Sequence, residues 1–339
     1  MLKEFEIINT YFTKLATNDY ALGLTDDCAF VADSKPLVIS TDTLIENGHF
    51  FSKDEPESIA TKVLAVNLSD TAAMGAIPKY WLLSLSINQK FAEPNWLKKF
   101  SNKLLELQSI YNISLVGGDT TFTKGPMVTS VTLLGEVAHN KVLKKTTALA
   151  NQIIYVSNNI GDAHFGYKIL YDKYNLQQNL YKELTLSQKD YLVSQYKYPT
   201  PQITLGQILT KYASSCTDVS DGLVADLEKL CQLSGVSGII YLQSIYENIF
   251  SDSLKTILKK SNNIQEIIIQ AITGGDDYQL VFCIPKNKAQ MLETEVAKAG
   301  IRIHKIGETT VKKQLPLYIT DLLGNNLPMN FNKGFAHSF

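Results

Sequence analysis

Hydrophobic positions in the first half of the chain follow two different patterns, one typical of strands and one typical of helices. The apolar, β-branched run at 36–44 predicts a buried strand. Pro56 and Gly75 are residues that suit the start and the end of a helix. The other elements predicted here are a short amphipathic helix at 3–15, helices at 55–74 and 95–111, and strands at 79–88 and 127–137. This half therefore mixes strands with long helices.

A second unit of strands and helices begins near Asn151. The pattern predicts strands at 153–157, 216–219 and 278–284, helices starting at 161 and 222, a polar helical segment at 171–189, and a hairpin at 306–319. A chain of 339 residues is too long for one ordinary core. We therefore expect an α/β (α+β) protein of two domains, residues 1–148 and 149–339, with the second completing an active-site cleft.

Composition excludes several classes of protein. The net charge is −1 and the mean hydropathy is −0.04, so neither a nucleic-acid footprint nor a membrane surface is indicated. No signal peptide and no membrane span are expected, and the four scattered cysteines suit free thiols in a reducing, cytoplasmic location. Arg302 is the only arginine in the chain.

Aspartates occur where apolar strands end or beside glycines. They are Asp26, Asp27, Asp42, Asp119, Asp218, Asp221, Asp276 and Asp277. Asp70 differs because it lies inside an apolar helix, where an acid without a partner is costly. Carboxylates gathered in one place repel each other unless cations compensate them, and Mg²⁺ prefers oxygen ligands. The pattern therefore predicts an enzyme that uses magnesium to handle phosphates.

Several of the candidate residues also have a simpler explanation. Asp221 is suited to cap a helix, Asp218 and Asp119 are suited to ordinary turns, and Asp70 to a solvent-facing stripe with Asn67. His49 is suited to a satisfied core histidine, and Lys145 to a solvated charge. The P-loop motif and the protein-kinase motifs are absent from the sequence.

The motifs as a set resemble the thiamine-monophosphate kinase family, within the superfamily of aminoimidazole ribonucleotide synthetase and selenophosphate synthetase. The order of the motifs is the family's, and they extend through most of the chain. The matching segments are 26–30, 40–44, 47–50, 65–70, 72–76, 117–121, 135–137, 218–222, 274–278 and 306–308.

The resemblance implies direct, in-line transfer of the ATP γ-phosphoryl group to thiamine monophosphate, assisted by several Mg²⁺ ions, with thiamine diphosphate as product. It implies magnesium ligands at Asp27, Ser40, Thr41, Asp42, Asp70, Asp119, Asp218 and Asp221. Of these, Asp27, Asp42, Asp70 and Asp119 are expected to be catalytic. The implied ATP contacts are Gly118, Asp119, Lys145 and Ser220, and the implied substrate contacts are His49, Asp276 and Phe335. A homodimer formed through the N-terminal sheets is also implied.

The sequence departs from the family pattern at several positions. Thr25, Lys145, Tyr198 and Asp276 replace glycine, arginine, arginine and glutamate, respectively, and Lys124 also stands in place of an arginine. Lysine keeps the charge of arginine but loses its bidentate geometry, so we expect weaker ATP affinity rather than lost activity. Two alternatives remain: another ATP-using enzyme of the superfamily, and a nucleotide-binding relative without catalytic activity.

Overall fold

The computed structural model describes residues 7–17, 35–137, 142–175 and 184–335. The chain forms two compact units. The first comprises residues 1–71 and 76–140, and the second comprises residues 72–75 and 141–339. The predicted boundary between residues 148 and 149 stays a prediction.

The first unit contains a four-stranded mixed sheet and two long helices. Its elements are β1 (Leu37–Ile45), α1 (Pro56–Ala73), β2 (Ile77–Ile87), α2 (Pro94–Tyr111), β3 (Ser114–Phe122) and β4 (Val128–Glu136). The strand order is β1-β4-β2-β3, so β1 and β3 are the two edges. β4 pairs antiparallel with both β1 and β2, and β2 pairs parallel with β3.

Each long helix buries its apolar residues in a different way. α2 buries Leu97, Phe100, Leu104 and Leu107, at the spacing of one helical face. α1 is buried on nearly all sides, and Asp70 is the one position between 58 and 73 that is not fully buried.

The first strand differs from the sequence prediction in its burial. β1 covers the predicted segment, but only Leu44 among its residues is buried, and Ile39 is 66% exposed. The prediction of a buried strand was therefore wrong. The physical reason is position: an edge strand with one open face has few neighbours to cover it.

The N-terminal segment also differs from its prediction where the structure describes it. Residues Ile8–Phe12 form a π-helical turn and Thr13–Leu15 a 3₁₀ turn, in place of the regular amphipathic helix expected at 3–15. Residues 3–6 of that prediction lie outside the described residues.

The second unit contains a six-stranded mixed sheet and eight helices among the described residues. Its strands are β5 (Gln152–Ser157), β6 (Ser215–Val219), β7 (Val236–Tyr241), β8 (Gln279–Pro285), β9 (Ile303–Val311) and β10 (Leu317–Thr320). Its helices are α3 (Asp162–Asn175), α4 (Leu186–Lys197), α5 (Ile203–Leu209), α6 (Leu223–Ser234), α7 (Leu242–Asn248), α8 (Asp252–Lys260), α9 (Ile264–Thr273) and α10 (Ala289–Lys298).

The sheet of the second unit has the order β10-β7-β9-β5-β8-β6. β7 lies between β9 and β10, pairing antiparallel with β9 and parallel with β10. The predicted hairpin at 306–319 was therefore wrong, because the sequence reasoning missed β7, which separates the two strands. Part of the polar segment predicted at 171–189 lies outside the described residues.

Among the helices that the structure describes, none combines the length with the apolar character that a membrane-spanning segment requires.

Candidate active site

Ser40 and Asp42 lie on the same face of β1, the face that α1 covers. Residues two apart on a strand share a face, and in β1 the residues at 40, 42 and 44 are more buried than those at 39, 41, 43 and 45. The backbone N–H of Asp42 donates to Asn67 Oδ1 at 3.1 Å. Asn67 is 0% exposed, and its side-chain amide donates to the carbonyl of Val63 at 3.2 Å. A buried amide on α1 therefore fixes the backbone of β1 at Asp42.

Asp70 lies one helical turn after Asn67 on α1 and is half-buried. The simpler explanation of both residues as a solvent-facing stripe is wrong, because Asn67 is fully buried. The helix therefore presents an acid at the one position in its buried stretch that retains exposure.

The hydroxyl of Ser40 is buried and has no hydrogen-bond partner among the residues that the structure describes. An unsatisfied buried hydroxyl normally costs free energy. Oxygen donors on one strand face, next to Asp42, are the chemistry that a Mg²⁺ ion takes. The residues present therefore fit a magnesium ion, which is commonly held by one or two carboxylates, water and substrate phosphates.

His49 lies in the loop after β1 and is half-buried. Its Nδ1 accepts a hydrogen bond from the backbone N–H of Ile45 at 3.1 Å, which places the proton of a neutral ring on Nε2. The carbonyl of His49 accepts from the Nζ of Lys62 at 3.0 Å, and Lys62 is only 2% exposed. The sequence reasoning missed Lys62, which ties this loop to α1.

Asp119 lies on the opposite face of the sheet from Asp42. The strand register aligns Asp42 with Val131, Leu83 and Gly118 across the sheet, and it aligns Thr43 with Ser130, Ser84 and Asp119. Paired residues share a face, so Asp119 and Thr41 lie on the face away from Asp42. The side chain of Thr41 donates to the carbonyl of Val131 at 3.1 Å.

Asp42 and Asp119 are also separated along the sheet. β1 and β3 are its two edges, three strand spacings or about 14 Å apart at about 4.8 Å per spacing. Gly118 brings β3 close to β2, since a Cβ at this position would lie 1.9 Å from the carbonyl oxygen of Leu83. Within one chain the sheet therefore does not bring Asp42 and Asp119 together.

In the second unit, the predicted site residues do converge. The loop after β6 carries Ser220 and Asp221, and its carbonyl groups accept hydrogen bonds from two distant segments. Asp276 N–H donates to the Ser220 carbonyl, and Phe335 N–H donates to the Asp221 carbonyl, both at 2.9 Å. The Tyr278 N–H donates to the Val219 carbonyl at 2.8 Å. Three segments far apart in sequence are thus joined by backbone hydrogen bonds.

Glycines make this close approach feasible. Gly222 has φ +124°, and a Cβ there would lie 2.8 Å from the carbonyl oxygen of Thr273. A Cβ on Gly275 would lie 2.5 Å from the carbonyl oxygen of Ser220. Both glycines are therefore required by the contact between the β6 loop and the segment that follows α9.

Asp226 holds the same loop from the other side. Its Oδ2 accepts the backbone N–H groups of Ser220 and Asp221 at 3.0 Å and of Gly222 at 3.3 Å. Burial, followed by the charges of Asp218 and Asp221, raises the pKa of Asp226 to about 7, and Lys145 acts in the opposite direction. Lys145 therefore lies within electrostatic reach of this carboxylate cluster. Sequence reasoning missed Asp226, although it lies four residues after the Asp218–Gly222 motif.

Asp218 and Asp277 are both buried, in different settings. Asp218 is the fourth of the five residues of the buried strand β6 and is 3% exposed. The carboxylate of Asp277 accepts the N–H of Gly161 at 3.0 and 2.9 Å, at the start of α3. Burial raises the pKa of Asp277 well above its usual range. Asp277 therefore anchors a helix, and of the Asp276–Asp277 pair only Asp276 takes part in the contacts around the β6 loop.

Asp27 and its neighbours lie outside the described residues. Among the described residues, no group of three or more histidine, cysteine, aspartate and glutamate side chains is arranged to hold a metal ion.

Comparisons with known proteins agree with the order of the motifs. Residues 25–137 match the family model "AIR synthase related protein, N-terminal domain". The chain is 33% identical over 338 residues to thiamine-monophosphate kinase of Escherichia coli K12, covering 98% of each chain. This chain belongs to the thiamine-monophosphate kinase family.

Solved structures agree on the fold of this family. The crystal structure of thiamine-monophosphate kinase from Stenotrophomonas maltophilia K279a superposes with a TM-score of 0.79 at 30% identity, covering 93% of this chain and 94% of that one. A further structure, described as "AaThiL complexed with AMPPCP and TMP", superposes with a TM-score of 0.72 at 28% identity, covering 93% of both chains. The mixed α/β architecture predicted from sequence is confirmed.

Proposed function

We propose that this protein phosphorylates thiamine monophosphate with ATP and forms thiamine diphosphate. The main supporting observation is a network of backbone hydrogen bonds in the second unit. This network joins four residues predicted to bind the nucleotide, a metal ion or the substrate: Ser220, Asp221, Asp276 and Phe335. The family relationship supports this function, and a relative has been solved with AMPPCP, an analogue of ATP, together with TMP.

The reaction breaks the bond between the γ-phosphorus of ATP and its bridging oxygen. A phosphate oxygen of thiamine monophosphate forms the new bond to that phosphorus, and ADP leaves. The attacking oxygen is already anionic near neutral pH, so the protein need not remove a proton from it. Its task is to align two anions that repel each other and to offset their charge.

On the metal side, we propose that Ser40, Asp42 and Asp70 of the first unit hold Mg²⁺ with Asp27, and that Asp218 and Asp221 do so in the second. A bound magnesium ion would supply charge neutralisation for the phosphates. Gly118, Asp119, Lys145 and Ser220 are proposed as nucleotide contacts, with the ammonium group of Lys145 as a point charge for a phosphate.

On the substrate side, we propose His49, Asp276 and Phe335. Phe335 is 56% exposed, which suits its ring to pack against an aromatic ring of thiamine. Asp276 adopts φ +71° and accepts from the Tyr278 hydroxyl at 3.2 Å through Oδ1, so its carboxylate is held in a defined position.

We further propose a homodimer formed through the sheets of the first unit. Its edge strands β1 and β3 carry exposed apolar residues: Ile39 is 66%, Ile45 38% and Phe122 57% exposed. A second copy that placed its β1 beside β3 would bring the strand that carries its own Thr41 and Asp42 next to Asp119. The dimer would thereby place the two edge strands side by side, whereas one sheet keeps them about 14 Å apart.

We propose a cytoplasmic location for the protein. The three cysteines among the described residues are free and buried, as suits a reducing compartment.

The test is a direct product assay with ATP, Mg²⁺ and thiamine monophosphate. Thiamine diphosphate is expected from the wild type, and none from free thiamine as acceptor. Asp70→Asn should lower kcat/KM by about a thousandfold, or about 4 kcal/mol, with little change in Tm. Asp190→Asn, which removes an exposed acid on α4, is the matched control and should behave as wild type. Bound ATP without any diphosphate product would overturn the substrate assignment.

A further inference from the structure

The carboxylate of Asp226 makes its hydrogen bonds to backbone groups of the protein itself. Asp226 is 4% exposed, and one oxygen, Oδ2, accepts all three consecutive N–H groups of residues 220–222. Three successive backbone N–H groups that converge on one point form a concave anion site. In this chain the anion is supplied by the protein itself, from the first turn of α6.

The other side of the loop backbone is occupied as well. The carbonyls of Val219, Ser220 and Asp221 accept from Tyr278, Asp276 and Phe335, respectively. The backbone donors and acceptors of the loop are therefore satisfied within the second unit. Two side chains of the loop are left for a ligand. Within the part of the chain that the structure describes, neither the hydroxyl of Ser220 nor the carboxylate of Asp221 makes a hydrogen bond.

In this arrangement two neighbouring aspartates have different roles: Asp226 holds the backbone of the loop, and Asp221 is left to contact a ligand. Without Asp226, the three N–H groups would be open to a phosphate or to water, and the loop could turn so that its backbone faced the ligand. With Oδ2 in place, the backbone is held inward and the side chains of Ser220 and Asp221 are the groups left to meet a nucleotide or a metal ion.

We infer that Asp226 is a positioning residue, which fills the anion site of the 220–222 loop and thereby sets Ser220 and Asp221 for nucleotide and magnesium. This inference rests on the proposed roles of Ser220 and Asp221. It requires an acceptor oxygen at the right place, and it does not require the negative charge. Asparagine can supply that oxygen, because every hydrogen bond of the Asp226 side chain is made by Oδ2 alone.

The first measurement is hydrogen exchange of the peptide spanning residues 219–223. Asp226→Ala should raise the exchange rates of the three amides by about tenfold or more, because their acceptor is gone. Asp226→Asn should keep them close to wild type. Unchanged protection in the alanine variant would overturn the inference.

The second measurement is the dependence of the reaction on ATP, Mg²⁺ and thiamine monophosphate. Asp226→Ala should raise the KM for ATP and the half-saturating Mg²⁺ concentration by about tenfold, and the KM for thiamine monophosphate by much less. Asp226→Asn should restore both values to within about threefold. A loss confined to kcat and Tm would indicate a merely structural role and would overturn the inference.

Asp172→Ala is the matched control, since it removes another buried carboxylate, on α3, that makes none of the hydrogen bonds of the 219–222 loop. It should leave all three concentration dependences unchanged even if Tm falls. If Asp226→Ala does not fold, Asp226→Glu takes its place: it keeps the charge but misplaces the oxygen, so it should be impaired where asparagine is not. A functional glutamate variant beside an impaired asparagine variant would overturn the inference.

Ser220→Ala and Asp221→Asn, measured alongside, distinguish this inference from the proposed function. If both leave the ATP and Mg²⁺ dependences unchanged, the proposed role of the loop fails. If both impair them while Asp226→Ala does not, only the inference about Asp226 fails.

Discussion

The two units position their candidate site residues by different means. In the first unit the residues lie on regular elements, and a side-chain amide, that of Asn67, connects helix to strand. In the second they lie on loops, and backbone hydrogen bonds connect segments more than fifty residues apart. The candidate site of the first unit therefore depends on buried side chains, whereas that of the second unit depends on glycines and on a carboxylate that fills an anion site.

The largest loss of stability is expected from breaking the loop contact of the second unit. Gly222→Ala places a Cβ 2.8 Å from the carbonyl oxygen of Thr273 in a residue with φ +124°. We expect the free energy of unfolding to fall by about 3 kcal/mol. We also expect kcat/KM to fall by about a hundredfold, since the loop that carries Ser220 and Asp221 must move. Denaturant unfolding and the product assay measure both.

Gly235→Ala is the matched control for this variant. Gly235 also has a positive φ, +68°, but a Cβ there meets nothing within 4 Å. It should cost about 1 kcal/mol of stability and leave activity intact. Equal losses of activity in the two variants would show that backbone strain, and not the loop contact, is responsible.

A smaller effect is expected from the side-chain connection of the first unit. Asn67→Ala leaves the N–H of Asp42 without its acceptor, and should lower the free energy of unfolding by about 2 kcal/mol. Because β1 is displaced at Asp42, the half-saturating Mg²⁺ concentration should also rise. Asn102→Ala on α2 is the control, because the side-chain oxygen of Asn102 accepts an exposed hydrogen bond from Lys14. This variant should change neither the free energy of unfolding nor the half-saturating Mg²⁺ concentration. An unchanged Mg²⁺ dependence in Asn67→Ala would contradict the link between Asn67 and the proposed metal ligand Asp42.

The smallest effect concerns pH and belongs to the second unit. Burial, and then the charge of Lys168, lowers the pKa of His164 to about 4, while Asp276 acts in the opposite direction. As pH falls below about 6.5, the unfolded chain binds a proton at this residue and the folded chain does not, so the folded state loses stability. By pH 5.5 the loss should reach about 1.4 kcal/mol.

The comparison with His164→Asn isolates this contribution. Burial raises the pKa of Asp162 and of Asp277, so these two carboxyls stabilise the folded state as pH falls and oppose the histidine. Between pH 7.5 and 5.5, the unfolding free energy of the wild type should fall by about 1.4 kcal/mol relative to that of the variant, since only the histidine contribution differs. Parallel curves over this range would show that His164 binds its proton as readily in the folded chain as in the unfolded chain.

Sequence patterns predicted several elements well because the signals were local. Four elements lie within a few residues of their predicted bounds: the helices α1 and α2 and the strands β2 and β4. Their bounds are predictable because they depend on the spacing of apolar residues and on end residues such as Pro56 and Gly75, which are local features of the sequence. β7 was missed and a hairpin was predicted in its stead. Strand pairing is a long-range property, and nothing between β9 and β10 signals that a third strand enters between them.

The family, the class of fold and the set of aspartates can be predicted from the amino-acid sequence, because motif order and local hydrophobic pattern are properties of the chain. The burial and the hydrogen-bond partners of each aspartate depend on the folded protein. Asp226 and Asp221 are the same residue type in one short segment, yet Asp226 is buried and accepts three backbone N–H groups, whereas Asp221 is half-exposed. Asp42 and Asp119 both belong to strands, yet the register places them on opposite faces at opposite edges. Burial, strand register and backbone hydrogen bonds depend on contacts between residues that are distant in sequence. A local sequence pattern therefore does not predict these contacts.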